Sequence, residues 1–192
     1  MKAILMSIRP QHVCNILNLI KLWEIRKKFP SDYVGWVYIY CTKGRLNLIY
    51  DQDYDDKNQT WQKGKYELVD YGDKYSLNGK VVARFWCDKV EDYVNGHKWS
   101  WKSGAPMWGA CNDYEYILKD TCLTEDELYD YCEDLSFKAI HITKLEIFDK
   151  PKELSEFKHL STGNCWNCKI FGNGCTTCSL TRAPKSWFYI DI

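Results

Sequence analysis

Nowhere does the sequence hold an apolar run approaching the roughly 20 residues that a membrane-spanning helix needs. The opening MKAILMSIRPQ has too short an apolar core before Arg9 and Pro10 to serve as an export signal. A soluble, cytoplasmic protein is the expectation. Charge of one sign is not in excess either: 26 Lys and Arg balance 26 Asp and Glu, which excludes a uniformly basic nucleic-acid protein. There is no GxSxG elbow, no P-loop and no dinucleotide fingerprint, and there is no internal repeat. Histidine is scarce. His97 and His159 are isolated, and His141, between apolar neighbours in AIHIT, reads as a core residue.

Hydrophobic residues make up 45% and aromatic residues 16% of the 192 positions, so a packed globular fold is expected rather than disorder. The length suits one domain over 1–192 that carries insertions at 51–65, 95–112 and 161–179. The balanced total hides a gradient. Residues 1–48 carry eight cations against Glu24 and Asp32, whereas 113–134 carry nine acids against Lys119 alone. An anionic ligand is therefore steered toward the N-terminal half.

KAILMSI reads as a strand, and Pro10 sits at a suitable first helical position. Val13, Ile16, Leu17 and Ile20 recur at helical spacing, which predicts an amphipathic helix over PQHVCNILNLIK that ends at Lys21. The period then changes to two, with Trp23 and Ile25 alternating with Glu24 and Arg26, as in a half-buried strand. GWVYIYCT, GKVVARFWCDKVE, KAIHITKLEIFDKP and SWFYIDI are further strands, while HKWSWKSGAPMWG reads as a loop. LTEDELYDYCED is a short acidic helix whose Thr124 and Glu127 have capping-box spacing. The expected class is a mostly antiparallel, barrel-like α+β fold of five or six strands, with a long helix after the first strand.

Ten cysteines are present, and four of them form CWNCKIFGNGCTTC, two CxxC pairs six residues apart. Cys165, Cys168, Cys175 and Cys178 have the spacing of a closed tetrahedral zinc knuckle, a structural site. Four cysteines also suit an iron–sulfur centre. The other six, Cys14, Cys41, Cys87, Cys111, Cys122 and Cys132, read as small buried thiols.

SIRPQHVCNILNLIKLWEIRKKFP, GWVYIYCT, GKVVARFWCDKVE, AIHITKLEIFDKPKELSEF and APKSWFYIDI together resemble an ASCH-domain protein of the kind found in Firmicutes and their phages. The resemblance implies a PUA-like β-barrel with a cleft beside the first helix. It also implies a site at the helix-to-strand junction, where the family has a G-x-K-x-x-E/T-x-R pattern. Lys21, Glu24 and Arg26 match its lysine, polar and arginine positions. Leu19 stands where the family often has glycine, and Leu22 where it often has a small hydroxyl residue.

Binding of RNA or of a modified nucleoside is the function this implies, the protein acting as a monomer. Arg9, Lys21, Arg26, Lys27, Lys28 and Lys43 would contact phosphates, and Trp99 or Trp101 would stack on a base. The alternative is an amidohydrolase acting on N4-acylated cytidines, or a ribonuclease. Lys21 would then be the base and Glu24 its neighbour, with Asp120, or Glu115 across an uncertain loop, as the second acid. A third reading, a phage-associated protein that binds a host protein, fits the acidic 113–134 segment.

Overall fold

The structure, a computed structural model, describes residues 2–52, 54–55, 60–61, 64–70, 74–100, 105–106, 114–160, 169–170 and 178–192. In chain order the elements are β1 (Lys2–Ile8), α1 (Pro10–Leu17), β2 (Trp23–Arg26), β3 (Gly35–Cys41), β4 (Asn47–Asp51), β5 (Tyr54–Asp55), β6 (Thr60–Trp61), β7 (Lys65–Val69), β8 (Val81–Cys87) and β9 (Val90–Val94). There follow β10 (His97–Ser100), β11 (Ala105–Pro106), α2 (Glu115–Thr121), α3 (Glu125–Cys132), β12 (Phe137–His141), β13 (Thr143–Lys152), a 3₁₀ turn at Leu154–Glu156, β14 (Lys158–His159) and β15 (Trp187–Asp191). The chain folds into two compact units. Met1–Asn18, Trp36–Phe85 and Leu145–Ile192 form the first, and Leu19–Gly35 with Trp86–Lys144 the second.

A six-stranded sheet in the order β13-β8-β3-β1-β15-β14 organises the first unit. β1 is apolar on both faces and buried from Ala3 to Ile8, as expected of a strand covered on both sides. It pairs in parallel with β3 and antiparallel with β15. Ala3, Leu5, Tyr38, Tyr40, Val81, Phe157, Leu180 and Ile190 pack into one core cluster. Pro10 is at the start of α1, which buries Pro10, Val13, Ile16 and Leu17. The helix is shorter than its periodicity predicts. Asn18 leaves it to grip β7, its side chain donating to the Tyr66 carbonyl at 2.8 Å and accepting from the Tyr66 N–H at 3.1 Å. Ile20, expected on the buried helix face, is exposed.

The second unit is built on a five-stranded sheet, β11-β10-β9-β12-β2. Among the described residues neither large sheet closes on itself, so the expected barrel is replaced by open sheets. Two sequence segments read as single strands are in fact two each. GKVVARFWCDKVE divides at Asp88 and Lys89 into β8 and β9, and KAIHITKLEIFDKP divides at Ile142 into β12 and β13, each half joining a different sheet. Unbroken β-propensity hides such a change of sheet, because it depends on pairing partners remote in sequence.

HKWSWKSGAPMWG, expected to be loop, contributes β10 and β11. Asn95 and Gly96 reverse the chain between β9 and β10 with φ of 51° and 78°. Positive φ at both central residues is what a tight two-residue hairpin requires, and Asn-Gly is its strongest sequence signal. The 51–65 insertion is likewise the tip of a hairpin: β4 and β7 pair from Asn47↔Val69 to Asp51↔Lys65, with β5 and β6 paired beyond them.

Helices α2 and α3 belong to the face of this second sheet that carries Trp23, Ile25, Tyr93, Phe137 and Ala139, and they add Ile117, Leu128 and Cys132 to its core. Tyr93 and Phe137 stack with ring centroids 4.7 Å apart. The Thr124 and Glu127 capping box forms as expected, Thr124 Oγ1 accepting from the Glu127 N–H at 3.2 Å. The α2 helix itself was not legible from periodicity.

Candidate functional site

The connection from α1 to β2 decides where Lys21 lies. Leu19 has φ of 60°, the left-handed conformation that commonly ends a helix and that glycine adopts most readily. Leu19 thus stands at a helix-terminating position, and its side chain is 67% exposed. Lys21 follows in extended connection, not at a helix end as its spacing suggested. Leu22 is fixed on both sides of its peptide, its N–H donating to the Asp120 carbonyl at 2.7 Å and its carbonyl accepting from the Ile142 N–H at 2.9 Å.

That fixes the lysine beside the end of α2. The last carbonyls of a helix have no partner within it and favour a cation. Lys21 Nζ donates to the Thr121 carbonyl at 2.5 Å. Thr121 is held in turn by its hydroxyl, which donates to the Leu118 carbonyl at 2.6 Å and accepts from the Leu123 N–H at 3.2 Å. Of Asp120, it is the main chain that ties into this arrangement. Glu115 is exposed on the first turn of α2.

Lys21 is only 2% exposed, and Glu24 lies beside it with Oε2 3.6 Å from Nζ. The other Glu24 oxygen is 2.9 Å from Arg26 Nη2. Burial pushes the Lys21 ammonium below the usual lysine range, a shift that Glu24 opposes. The β2 strand was expected to be half-buried. Trp23, Glu24 and Ile25 are instead all buried and Arg26 nearly so, so this ion group is enclosed on a face that alternation alone assigned to solvent.

In-register pairing extends the group across the sheet. Arg26 is opposite Lys138, which is opposite Asp92. Lys138 contacts Asp92, and Ser31 Oγ bridges them, accepting from Lys138 at 3.0 Å and donating to Asp92 at 3.2 Å. On the opposite face a second carboxylate is enclosed. Glu91 accepts from the Tyr116 hydroxyl and, at 3.1 Å, from the Tyr93 hydroxyl, with Lys98 Nζ at 2.8 Å. Burial alone would raise the Glu91 carboxyl, but Lys98 and Tyr116 hold it below the usual carboxylate range. Sequence reasoning missed Glu91, Asp92 and Lys138. The available signal was two adjacent acids inside the strand pattern KVEDYV, where acids are depleted.

The remaining candidates are dispersed. Lys27 and Lys28 are exposed just after β2, Lys27 lying 3.6 Å from Glu133 and over the Tyr131 ring. Trp99 is partly buried in β10, opposite Asp92 in register across the β9 hairpin. Arg9 and Lys43 lie in the first unit. Trp101, Cys165, Cys168 and Cys175 lie outside the described residues, and Cys178 is partly buried just after them. His141 is not a core residue: its ring lies tilted against Trp23, centroids 4.6 Å apart, and its Nδ1 is 2.7 Å from Asp88 Oδ1. Burial pushes the Cys41 and Cys87 thiols up to about 12 and Cys132 to about 11, as suits inert packing thiols. Cys111 lies outside the described residues.

The mixed α+β architecture with two open sheets is a fold that solved ASCH structures share. No family model matches the sequence, and no curated protein matches it. Among solved structures the chain is similar to ASCH from Zymomonas mobilis, at 12% identity and a TM-score of 0.54, covering 98% of this chain and 87% of that one. Two mutants of that protein match likewise. The form with a tyrosine replaced by phenylalanine gives 12% identity, a TM-score of 0.53 and coverage of 100% and 91%. The form with a serine replaced by alanine gives 11%, 0.54, 98% and 88%. At these identities the likeness is one of fold. Among the described residues no helix is long and apolar enough to cross a membrane.

Proposed function

We propose that the protein binds RNA or a modified nucleoside through the second unit, with Lys21, Glu24 and Arg26 at the centre of the site. The enclosed Lys21–Glu24–Arg26 group carries this reading. Buried ion groups are poor sources of stability, because desolvation offsets most of their attraction, and perturbed ionisable groups concentrate at functional sites. Arg26, the least buried of the three, supplies a forked donor suited to the edge of an exposed base, and Glu24 orients it at 2.9 Å. Lys27 and Lys28, exposed directly after them, suit phosphates.

Titrating fluorescent single-stranded RNA at several salt concentrations tests this. Affinity is expected to fall as salt rises, with log K changing by about 0.7 per log unit of salt for each neutralised phosphate. Lys27→Ala/Lys28→Ala should weaken binding and flatten that slope, and Arg26→Gln should weaken it further. A parent protein without saturable RNA or nucleoside binding, yet forming a stable complex with another protein, would replace this reading with the host-binding one.

A second reading, amidohydrolysis of N4-acylated cytidine, is favoured by the lowered basicity of Lys21 beside Glu24. A neutral Lys21 amine would take a proton from water as its oxygen adds to the acyl carbonyl. The C–N4 bond then breaks, the amine of cytidine takes up that proton, and a carboxylic acid leaves and ionises, releasing its own proton to water. Cys165, Cys168, Cys175 and Cys178 hold one structural Zn²⁺ in either case, a role supported by their CxxC-x₆-CxxC spacing. Metal analysis of protein purified under reducing conditions should find one zinc per chain; finding neither zinc nor iron would remove the assignment.

A further inference from the structure

β1 and β3 run parallel and in register from Ile4↔Val37 to Ile8↔Cys41, so their carboxyl ends finish side by side. The Thr42 N–H donates to the Ile8 carbonyl at 2.9 Å, which joins the two exits, and the Gly79 N–H donates to the Cys41 carbonyl at 2.7 Å, which ties the end of β3 to the segment before β8. Space outside the carboxyl ends of parallel strands is a recurrent ligand position in sheets that carry helical crossovers. At this place the first unit has a depression of about 380 Å³, lined among others by Arg9, Pro10, Thr42, Lys43, Gly44 and Arg45.

Among the described residues its charge is all of one sign. Arg9, Lys43 and Arg45 line it, and no carboxylate among the described residues does. Among the described residues none of the three forms an ion pair, whereas Lys65, Lys80 and Arg84 of the same unit are each paired with a glutamate. The backbone and side chains around the depression pack closely. Lys43 lies across Gly79, where a Cβ would stand 3.1 Å from its Cε, and a Cβ on Gly44 would stand 3.6 Å from Pro10 Cγ. Like charges kept together without counter-charge repel one another, and an anion relieves that repulsion.

We infer that the first unit binds a phosphate group in this depression, with Arg9, Lys43 and Arg45 as its cationic partners. Two guanidinium forks and an ammonium match the oxygens of a phosphate carried either at a nucleotide terminus or in an RNA backbone. The site uses residues of the first unit alone, so it holds or fails independently of RNA binding at Lys21, Glu24 and Arg26.

Calorimetric titration at low ionic strength tests it with inorganic phosphate, a nucleoside 5′-monophosphate, the unphosphorylated nucleoside and a short RNA with a 5′-hydroxyl end. At least one phosphate-bearing probe is expected to saturate. Lys43→Gln/Arg45→Gln, two exposed positions, should weaken it at least tenfold with unchanged Tm, and Lys65→Gln should leave it unaltered. Affinity for the unphosphorylated nucleoside should be the same in parent and double variant. Preference for the monophosphate assigns a terminal phosphate, and preference for the RNA a backbone phosphate. Failure of every phosphate-bearing probe to saturate, equal affinity in parent and double variant, or equal loss in Lys65→Gln would overturn the inference.

Discussion

Glu24→Ala is expected to cost about 3–5 kcal/mol of stability, as removing one partner of a buried ion pair does. The carboxylate lies between two cations, 3.6 Å from Lys21 Nζ and 2.9 Å from Arg26 Nη2. Without it, two positive charges remain close together in a largely enclosed site that screens them weakly. In a chain of this size each kcal/mol moves Tm by roughly 2–4 °C, so a fall of about 10 °C should appear in thermal unfolding followed by circular dichroism. Lys27→Ala provides the contrast. Its ion pair with Glu133 is exposed, and such pairs contribute no more than about 1 kcal/mol. Equal losses in the two variants would mean that Glu24 is solvated and that the enclosed ion group does not exist in solution.

Lys21→Met should separate stability from function. The variant removes a buried ammonium that burial penalises, and it leaves Glu24 joined to Arg26. It also leaves the Thr121 carbonyl without its donor, a loss of about 1–3 kcal/mol. These opposing changes should keep the variant within about 2 kcal/mol of the parent. Hydrolysis of N4-acetylcytidine, followed as acetate release, should fall by about 10²–10⁴, the contribution of a positioned general base. Undiminished hydrolysis in Lys21→Met would sink the amidohydrolase reading.

The pH dependence of the same pair gives a second measure. In the unfolded chain Lys21 keeps its proton up to about pH 10.4, whereas in the fold it releases the proton at lower pH. Between those two values the unfolded state binds more protons, so the stability of the parent relative to Lys21→Met rises with pH. Denaturant midpoints of the two proteins at neutral and at alkaline pH should therefore shift in the parent's favour as pH increases. The opposite shift would mean that Glu24 and Thr121 outweigh burial at Lys21.

Much of this was fixed by local pattern. The apolar runs of β1, β3 and β15, the Pro10 start of α1 and the Thr124 capping box each act within a few residues, and each formed where the pattern placed it, whereas α1 ends at Leu17, short of the change of period at Lys21. The charges of the candidate site were legible for the same reason, since Lys21, Glu24 and Arg26 stand within six positions. Only the tertiary structure decided their surroundings. Whether an alternating strand faces water depends on what covers its second face, so Glu24 looked solvated and is buried. The partner of Lys21 is a carbonyl at the end of α2, 100 residues away in a helix whose pattern is weak. Arg26, Lys138 and Asp92 share a row only because β2, β12 and β9 pair in one register, and pairing between distant strands is set by the packing of the whole sheet.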